Sequence, residues 1–285
     1  MSGLAAASTL AAFADVLDDA QRSATPVEQL SARGELGLAN AYAVQHAILA
    51  RRQGRGERIA GVKLGFTSLA KARQMGVDDV IIGTITDAMR VDDGGRFDRR
   101  ACIHPRIEPE VAYLLGADLD DTDLDDPHLD DTNLSDERAL AAVIAGVAPA
   151  LEIIDSRYLD FRFSLDDVVA DNTSAAAFVI GPWVDPALAA DLGNRGVGLE
   201  VNGHLVETGS TAAVLGHPHR AIAAARRLAS AHGFALRAGM ILLAGAATAA
   251  VPLPRRGFVE ASIAGLGRVA VHVDGGNDQE DERDV

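Results

Sequence analysis

Apolar residues recur at helical spacing in the N-terminal part of the chain. The pattern predicts two helices, over residues 4–23 and 37–55, because side chains three and four positions apart share one helix face. The residues that carry it are Leu10, Phe13, Val16, Leu17, Ala41, Val44, Ala47 and Ile48. We therefore predict a helical arm over residues 1–58, which ends near Gly54 and Gly56.

From Ile59 onward the pattern changes to short apolar runs separated by Gly and Pro, which is typical of β-strands. Helical spacing returns in three short stretches, at residues 68–75, 137–146 and 221–232. Most of the predicted strands lack the regular intervening helix of a doubly wound sheet. The prediction is an α+β fold, with a mixed, mostly antiparallel sheet core over residues 59–273. The predicted strands lie at residues 59–65, 81–85, 103–115, 148–154, 178–181, 198–201, 240–244, 258–263 and 269–273.

The net charge of −15 is concentrated in two segments. Residues 118–137 carry ten acidic residues and no Lys or Arg, and residues 274–285 carry six acidic residues against Arg283. We interpret them as a solvated acidic excursion and a disordered acidic tail, because acidic segments poor in aromatic residues do not bury enough apolar surface to fold. The rest of the chain is balanced and has no basic patch, so we do not expect nucleic-acid binding.

The cell compartment is predicted from apolar runs, the N-terminal residues and cysteine use. No run approaches the ~18 apolar residues that a membrane span requires. The first residues lack a basic region ahead of their apolar residues, so we expect no secretory signal. Cys102 is the single cysteine, which excludes an intrachain disulfide. We expect a cytoplasmic protein.

The segment His104–Glu110 contains the first candidate chemistry. Glu108 and Glu110 are two positions apart in a predicted strand, so their side chains point to the same face. Two carboxylates this close require a cation or a shared proton, and hard divalent metals such as Mg2+ or Mn2+ prefer carboxylate oxygens. The alternative is an edge strand with two solvated glutamates on its wet face.

Two further charged residues lie in apolar runs. Glu152 interrupts the run from Ala150 to Ile154, and a lone Glu on an apolar face needs a partner. Lys63 lies in the run Ile59–Gly65 and is one of only two lysines among the 26 basic residues. A buried ammonium needs pairing, which favours a functional Lys63; the alternative is a lysine that reaches solvent from a strand edge.

Polar residues beyond Glu152 have less specific patterns. Asp155 and Arg157 are predicted to form a structural ion pair at the end of their strand. The segment Val168–Ser174 either lines a pocket or caps a helix. No GxGxxG pattern is present, so we propose no nucleotide cofactor.

Five segments together resemble the hydratase/decarboxylase branch of the fumarylacetoacetate hydrolase superfamily. The resemblance extends over about residues 37–273, with the segments in the expected order. They are Gly61–Ser68, His104–Glu110, Leu151–Tyr158, Ala170–Asn172 and Ala212–Pro218. The branch contains 2-oxopent-4-enoate hydratases and 4-oxalocrotonate decarboxylases of aromatic meta-cleavage pathways. The resemblance implies a fumarylacetoacetate-hydrolase-like core with an N-terminal helical subdomain.

The resemblance also implies roles for individual residues. Glu108, Glu110 and Glu152 correspond to ligands of Mg2+ or Mn2+, and Lys63 corresponds to a lysine beside the bound 2-oxo acid. Further positions expected near the substrate are Leu64, Ser68, Ile81, Asp171 and Thr248. Decarboxylases of the branch tend to have an apolar residue at the position that Ile81 occupies here, whereas hydratases tend to have an acidic one.

The implied activity is decarboxylation of 2-oxo-3-hexenedioate, or a related 2-oxo-enedioate, to 2-hydroxypenta-2,4-dienoate. One alternative is hydration of 2-hydroxypenta-2,4-dienoate at the same metal site. A second is a non-catalytic partner subunit of a hydratase/decarboxylase complex. The resemblance further implies a homo-oligomer or a complex with a hydratase.

Overall fold

The computed structural model of the protein describes residues 7–34, 36–68, 79–119, 143–189 and 191–275. Within these ranges the helices are α1 (Ala7–Ser23), α2 (Leu38–Gly54), α3 (Leu165–Ala170) and α4 (Arg220–His232), with several short 3-10 turns between elements. None of the helices in the described ranges has both the length and the apolar character needed to cross a bilayer.

Thirteen strands in the described ranges form two sheets. The larger sheet has the order β2-β1-β10-β5-β6-β7-β3, with β11 beside β5, and the smaller has the order β4-β13-β12-β8-β9. The strands are β1 (Ile59–Gly65), β2 (Ile81–Thr86), β3 (Arg90–Val91), β4 (Gly95–Asp98), β5 (Arg106–Leu115), β6 (Ile144–Ile154), β7 (Ala175–Ile180), β8 (Gly196–Val201), β9 (His204–Ser210), β10 (Ile241–Ala246), β11 (Val251–Pro252), β12 (Gly257–Ile263) and β13 (Gly267–Asp274). Only the pairs β1–β10, β3–β7 and β4–β13 are parallel. The predicted α+β fold with a mixed, mostly antiparallel core is confirmed.

The larger sheet curls around its inner face. Lys63 on β1 and Glu152 on β6 are separated by β10 and β5, so a flat sheet would hold the two strands about 14 Å apart at the usual strand spacing. The Nζ atom of Lys63 nevertheless lies 2.9 Å from Oε2 of Glu152. The curl therefore brings side chains from non-adjacent strands together.

Alternation along β6 divides its residues between two environments. Leu151 and Ile153 pack against the smaller sheet in one apolar cluster. Ala148 and Ala150 face the opposite way, into the interior of the curled sheet, and Glu152 shares their face. The small alanine side chains leave room inside the sheet, and this room is where the carboxylates point.

The N-terminal arm is tied to the sheet core by buried polar contacts. Gln45 on α2 donates to the backbone oxygens of Ile82 and Val169, at 3.1 and 3.0 Å. Ser31 donates through Oγ to Asp167 at 2.6 Å, and the same carboxylate forms the capping box at the start of α3 with Ser164. Because these groups are buried or half-buried, losing one partner would leave another polar group unsatisfied.

One helix prediction is wrong in part where the structure describes the residues. Ile144 begins strand β6, so the helix predicted over 137–146 is wrong at its end; residues 137–142 lie outside the described ranges. The register with β5 overrides the local helical pattern, since Leu115 pairs with Ile144. The helix predicted over residues 68–75 stays a prediction, because only Ser68, its first residue, is described, and residues 69–75 lie outside the described ranges. The acidic excursion and tail fall almost wholly outside them as well.

Candidate metal and substrate site

The three candidate carboxylates converge on the inner face of the larger sheet. The antiparallel register of β5 and β6 places Glu108 directly opposite Glu152, and Glu110 follows on the same face of β5. One oxygen from each side chain lies within 4.8 Å of the others, and all three residues are buried. Like charges opposite each other in a sheet are destabilising, so the arrangement calls for cations.

Lys63 supplies one of these cations. Its side chain is 3% exposed, and its ammonium pairs with Glu152 at 2.9 Å and donates to the backbone oxygen of Thr173 at 3.2 Å. The close backbone of Gly83 on β2 and the parallel pairing with Leu243 on β10 fix the position of Lys63 in its strand. Lys63 is therefore buried and paired, as the functional reading of its strand predicts.

Burial and charge act in opposite directions on these groups. Burial alone would lower the pKa of Lys63, but the negative charges of Glu152, Glu108 and Glu110 outweigh it and raise that pKa. Burial raises the pKa of Glu110 well above its ordinary value, and the charges of Glu152 and Glu108 add to the effect. Burial also raises the pKa of Glu152, against the opposing effect of Lys63. The ammonium of Lys63 thus offsets the effect of burial on Glu110 and Glu152 only in part.

The donor set fits a divalent metal. Oε1 of Glu110 and Oε1 of Glu152 are buried and have no hydrogen-bond partner among the described residues, while Oε2 of Glu110 accepts from the backbone N–H of Gly245 at 2.8 Å. Buried carboxylate oxygens without partners are costly unless a cation binds them. An all-oxygen set of this size suits Mg2+ or Mn2+ and leaves positions for water or substrate.

A cavity of about 280 Å³ opens beside the carboxylates. Its wall includes Glu108 and Lys63 together with three of the predicted substrate residues, Leu64, Ser68 and Ile81. The wall is otherwise mainly apolar. Its remaining lining residues are Gly65, Phe66, Thr67, Arg106, Ile154, Phe161, Phe163, Val168, Thr173, Ser174, Ala246 and Ala250.

Two predicted substrate residues do not line this cavity. Thr248 is 8% exposed and donates to the backbone oxygen of Ala249, and Asp171 is 1% exposed and paired with Arg157. The sequence-based pairing of Arg157 with the Asp155 side chain is therefore wrong. Asp155 instead accepts from the backbone N–H groups of Ile103 and His104 through its carboxylate, both at 2.8 Å.

The turn Asn172–Ser174 forms one side of the cavity in an unusual backbone conformation. Its three residues have φ values of 49°, 55° and 58°, in the left-handed region that non-glycine residues rarely adopt. Asn172 fixes the turn by two 2.8 Å hydrogen bonds to the backbone of Thr84. Because the turn carries the backbone oxygen that accepts from Lys63, the strained geometry helps to position that ammonium.

Several cavity residues were missed by sequence reasoning. Phe161 and Phe163 come from the segment after β6, which no periodicity connects to the site. Arg106 had a usable signal, since it lies two positions before Glu108 and so shares the strand face of the two glutamates. Thr173 and Ser174 belong to the polar segment for which pocket lining and helix capping stayed open; the structure assigns these two to the pocket.

The fold and the carboxylate cluster agree with comparisons to known proteins. The family model described as fumarylacetoacetate (FAA) hydrolase C-terminal matches residues 78–274. The chain belongs to the fumarylacetoacetate hydrolase family, as its sequence motifs predict.

Within the family, the chain is similar to both decarboxylases and hydratases, at different levels of sequence identity. The chain is 44% identical over 263 residues to a 4-oxalocrotonate decarboxylase of Pseudomonas sp, covering 92% of this chain and 97% of that one. It is 32% identical to a 2-keto-4-pentenoate hydratase of Paraburkholderia xenovorans (strain LB400), covering 90% and 91%. The solved 4-oxalocrotonate decarboxylase from Pseudomonas putida G7, complexed with magnesium and adipate, superposes with a TM-score of 0.84 at 35% identity, covering 93% of this chain and 97% of that one.

Proposed function

We propose that this protein is a divalent-metal-dependent lyase that decarboxylates 2-oxo-3-hexenedioate (4-oxalocrotonate), or a related 2-oxo-enedioate, to 2-hydroxypenta-2,4-dienoate in aromatic meta-cleavage catabolism. The observation that carries the proposal is the buried cluster of Glu108, Glu110 and Glu152 with Lys63 beside it. The preference for the decarboxylase over the hydratase agrees with the higher identity to the former, 44% against 32%.

Glu108, Glu110 and Glu152 would hold Mg2+ or Mn2+. When bound, the metal supplies a Lewis acid for the negative charge that develops on the 2-oxo group. In the reaction, the bond between C5 and the distal carboxylate breaks, CO2 leaves, and the electron pair moves through the alkene to the 2-oxo oxygen. Protonation of that oxygen gives the 2-hydroxydienoate.

Lys63 provides a second positive charge in the same place. Its raised pKa keeps it an ammonium, and Thr173 and Glu152 hold it in position. A fixed positive charge in a buried site stabilises a developing oxyanion more than it would in water, because no solvent has to reorganise. Lys63 is also positioned to hold the proton that the product oxygen requires.

The apolar part of the wall suits the CO2 that the reaction releases. Leu64, Phe66 and Ile81 give the cavity an apolar surface, and the reaction converts a charged carboxylate to neutral CO2. Such a surface solvates a charged carboxylate poorly and accepts neutral CO2, so it favours that conversion once the carboxylate leaves its polar contacts. Ile81, at 3% exposure, places an apolar surface where an acidic side chain would be available to orient water for hydration.

The test compares two substrates with the purified Mg2+-loaded protein. We expect CO2 release from 2-oxo-3-hexenedioate. We expect no consumption of 2-hydroxypenta-2,4-dienoate, which is measured by its dienol absorbance. Consumption of the dienoate without CO2 release would establish the hydratase instead. If neither reaction occurs and calorimetry shows no Mg2+ binding, the protein is instead a non-catalytic partner subunit of a hydratase/decarboxylase complex.

The site roles and the assembly are part of the same proposal. A structure with Mg2+ and oxalate, which mimics the chelating end of a 2-oxo acid, should show the ion on Glu108, Glu110 and Glu152 with Lys63 next to the oxalate. We expect a homo-oligomer or a complex with a hydratase, and a cytoplasmic location; light scattering of the purified protein, with and without a hydratase, measures the assembly.

A further inference from the structure

We propose that the cavity contains a subsite for the distal carboxylate of the substrate, formed by Arg106 with the hydroxyl of Ser174. The inference rests on the proposed function, because it assigns the second end of the same dicarboxylate. It also names a ligand class, an aliphatic dicarboxylate of about six carbons, that the subsite selects over a monocarboxylate.

The strand register places Arg106 at the right distance from the metal ligands. Arg106 and Glu108 are two positions apart on the same face of β5, which corresponds to a displacement of roughly 6.6–6.8 Å along the strand. That displacement is comparable to the separation of the two carboxyl groups in an extended six-carbon diacid. If the 2-oxo acid group of the substrate lies at Glu108, its distal carboxylate therefore lies beside Arg106.

Ser174 lies at the same level on the other side of β6. Ile154 pairs with Arg106 on β5 and with Ala175 on β7, and the N–H of Asp155 donates to the backbone oxygen of Ser174 at 2.8 Å. Arg106, Ile154 and Ser174 all line the cavity. The subsite thus lies next to the carboxylate cluster, two residues further along the strands.

The Ser174 hydroxyl has the character of a ligand-binding group. The residue is 4% exposed, and its Oγ is buried with no hydrogen-bond partner among the described residues. A buried hydroxyl without a partner is costly, and the left-handed backbone at φ 58° adds strain. A bound carboxylate oxygen would give this hydroxyl an acceptor.

Arg106 is the basic residue of the cavity wall that is available to bind a carboxylate of the substrate. Among the described residues that line the cavity, Lys63 and Arg106 are the two basic ones, and Lys63 is paired with Glu152. The guanidinium carbon of Arg106 lies over the Phe161 ring, 5.2 Å from its centroid, and both residues line the cavity. A guanidinium that stacks on a ring through its face keeps its N–H edge for an anion. Arginine binds carboxylates through two parallel N–H donors, which gives direction as well as affinity.

The subsite predicts a division between binding and chemistry. Pairing with Arg106 stabilises the carboxylate in the ground state, and only interactions stronger in the transition state accelerate the reaction. Arg106 should therefore lower KM and select the dicarboxylate without raising kcat. The leaving carboxylate must separate from Arg106 as it becomes neutral CO2.

The test measures binding of three probes to the Mg2+-loaded protein by calorimetry: adipate with two carboxylates, hexanoate with one, and oxalate for the chelating end alone. Arg106→Gln should weaken adipate about 10- to 100-fold, the range for losing a charged hydrogen-bonding partner, and change hexanoate and oxalate less than about twofold. Ser174→Ala should weaken adipate about 2- to 10-fold. The matched control is Arg162→Gln, which makes the same charge change at an exposed residue outside the cavity lining.

Kinetics provide the second readout. In Arg106→Gln the KM for 2-oxo-3-hexenedioate should rise while kcat stays equal to or above that of the wild type, because the lost contact stabilises the ground state at least as much as the transition state. Equal weakening of adipate and hexanoate, or unchanged adipate binding, overturns the subsite even if the wild type releases CO2. Selective loss of adipate in a protein that releases no CO2 would support the subsite and refute the decarboxylase function.

Discussion

Lys63 is the residue on which the charge balance of the site depends. Its ammonium pairs with Glu152, and burial would favour its neutral form if Glu152, Glu108 and Glu110 were not near. A lysine in this position has two effects that oppose each other. It adds positive charge for the reaction, and it competes with a metal for Glu152.

Lys63→Met should separate these two effects. We expect decarboxylation to fall by at least about 100-fold, because a fixed charge worth several kcal/mol to the transition state is lost. Mg2+ should bind as tightly as in the wild type or more tightly, since the three carboxylates lose their competing cation. Calorimetry with Mg2+ and CO2 release measure the two quantities on the same preparation. Retained turnover, or lost Mg2+ binding in a folded variant, would contradict this role.

The individual candidates show how much of the site is readable at the residue scale. Glu108 and Glu110 follow from strand alternation, and Glu152 and Lys63 follow from the cost of isolated charges in apolar runs. The metal they fit follows from their oxygen ligands. Asp171 shows where this reasoning stops: the sequence places it in a polar segment, but its pairing with Arg157 depends on how a turn folds back on β6. No periodicity encodes that contact.

The turn Asn172–Ser174 is the element that completes the site, and glycines on the neighbouring strands make space for it. A Cβ on Gly83 would lie 2.9 Å from the backbone oxygen of Asn172 and 3.0 Å from Cβ of Thr173. Both are closer than such contacts normally are. The absence of a side chain at Gly83 therefore allows the turn to reach Lys63.

Gly83→Ala tests this dependence. We expect a loss of about 1–3 kcal/mol in the free energy of unfolding, as for other overpacked sites, and a lower kcat because the turn moves away from Lys63. Gly196→Ala is the matched control, since a Cβ there meets nothing within 4 Å on another strand. Urea unfolding and steady-state kinetics give the two readouts. Equal behaviour of the two variants would show that the close approach is unimportant.

Secondary-structure elements were predicted best where the apolar residues follow a single periodicity, that of a helix or that of a strand. The strands that bear Glu108, Glu152 and Lys63 and the two N-terminal helices were placed from periodicity. The helix predicted through Ile144 failed because a strand buried on both faces has a continuous apolar run, which periodicity does not distinguish from a helix. Strand order was not predictable either, because β10 lies between β1 and β5 although it comes far later in the chain.

At the scale of the whole molecule, a bound metal would join parts of the chain that are distant in sequence. Its ligands come from β5 and β6, and their ammonium partner comes from β1. Mutual repulsion among the carboxylates opposes this convergence, and a bound metal would relieve the part that Lys63 leaves uncompensated. Folding stability and metal binding are therefore linked.

The melting temperature should consequently rise with Mg2+ and fall with EDTA. At a concentration of 100 times Kd the stabilisation is about 2.7 kcal/mol by mass action. Glu110→Gln should remove most of the Mg2+-dependent shift while leaving the melting temperature in EDTA equal to or above that of the wild type, because repulsion is relieved and Gln keeps an acceptor for Gly245. Glu28→Gln, at an exposed site, is the control. An unchanged Mg2+ shift in Glu110→Gln would argue against this residue as a ligand.

The hairpin of β5 and β6 keeps its connecting end far from its reactive end. Glu108 and Glu152 lie near the start of β5 and the end of β6, whereas the connection that carries the acidic excursion leaves from the opposite end. There the N–H of Gly116 donates to the backbone oxygen of Val143 at 2.8 Å, so the two stems are already joined. This connection is therefore a suitable insertion site for protein engineering. We expect the active-site cavity to tolerate an insertion there, such as a reporter peptide, an affinity tag or a linker to a second enzyme.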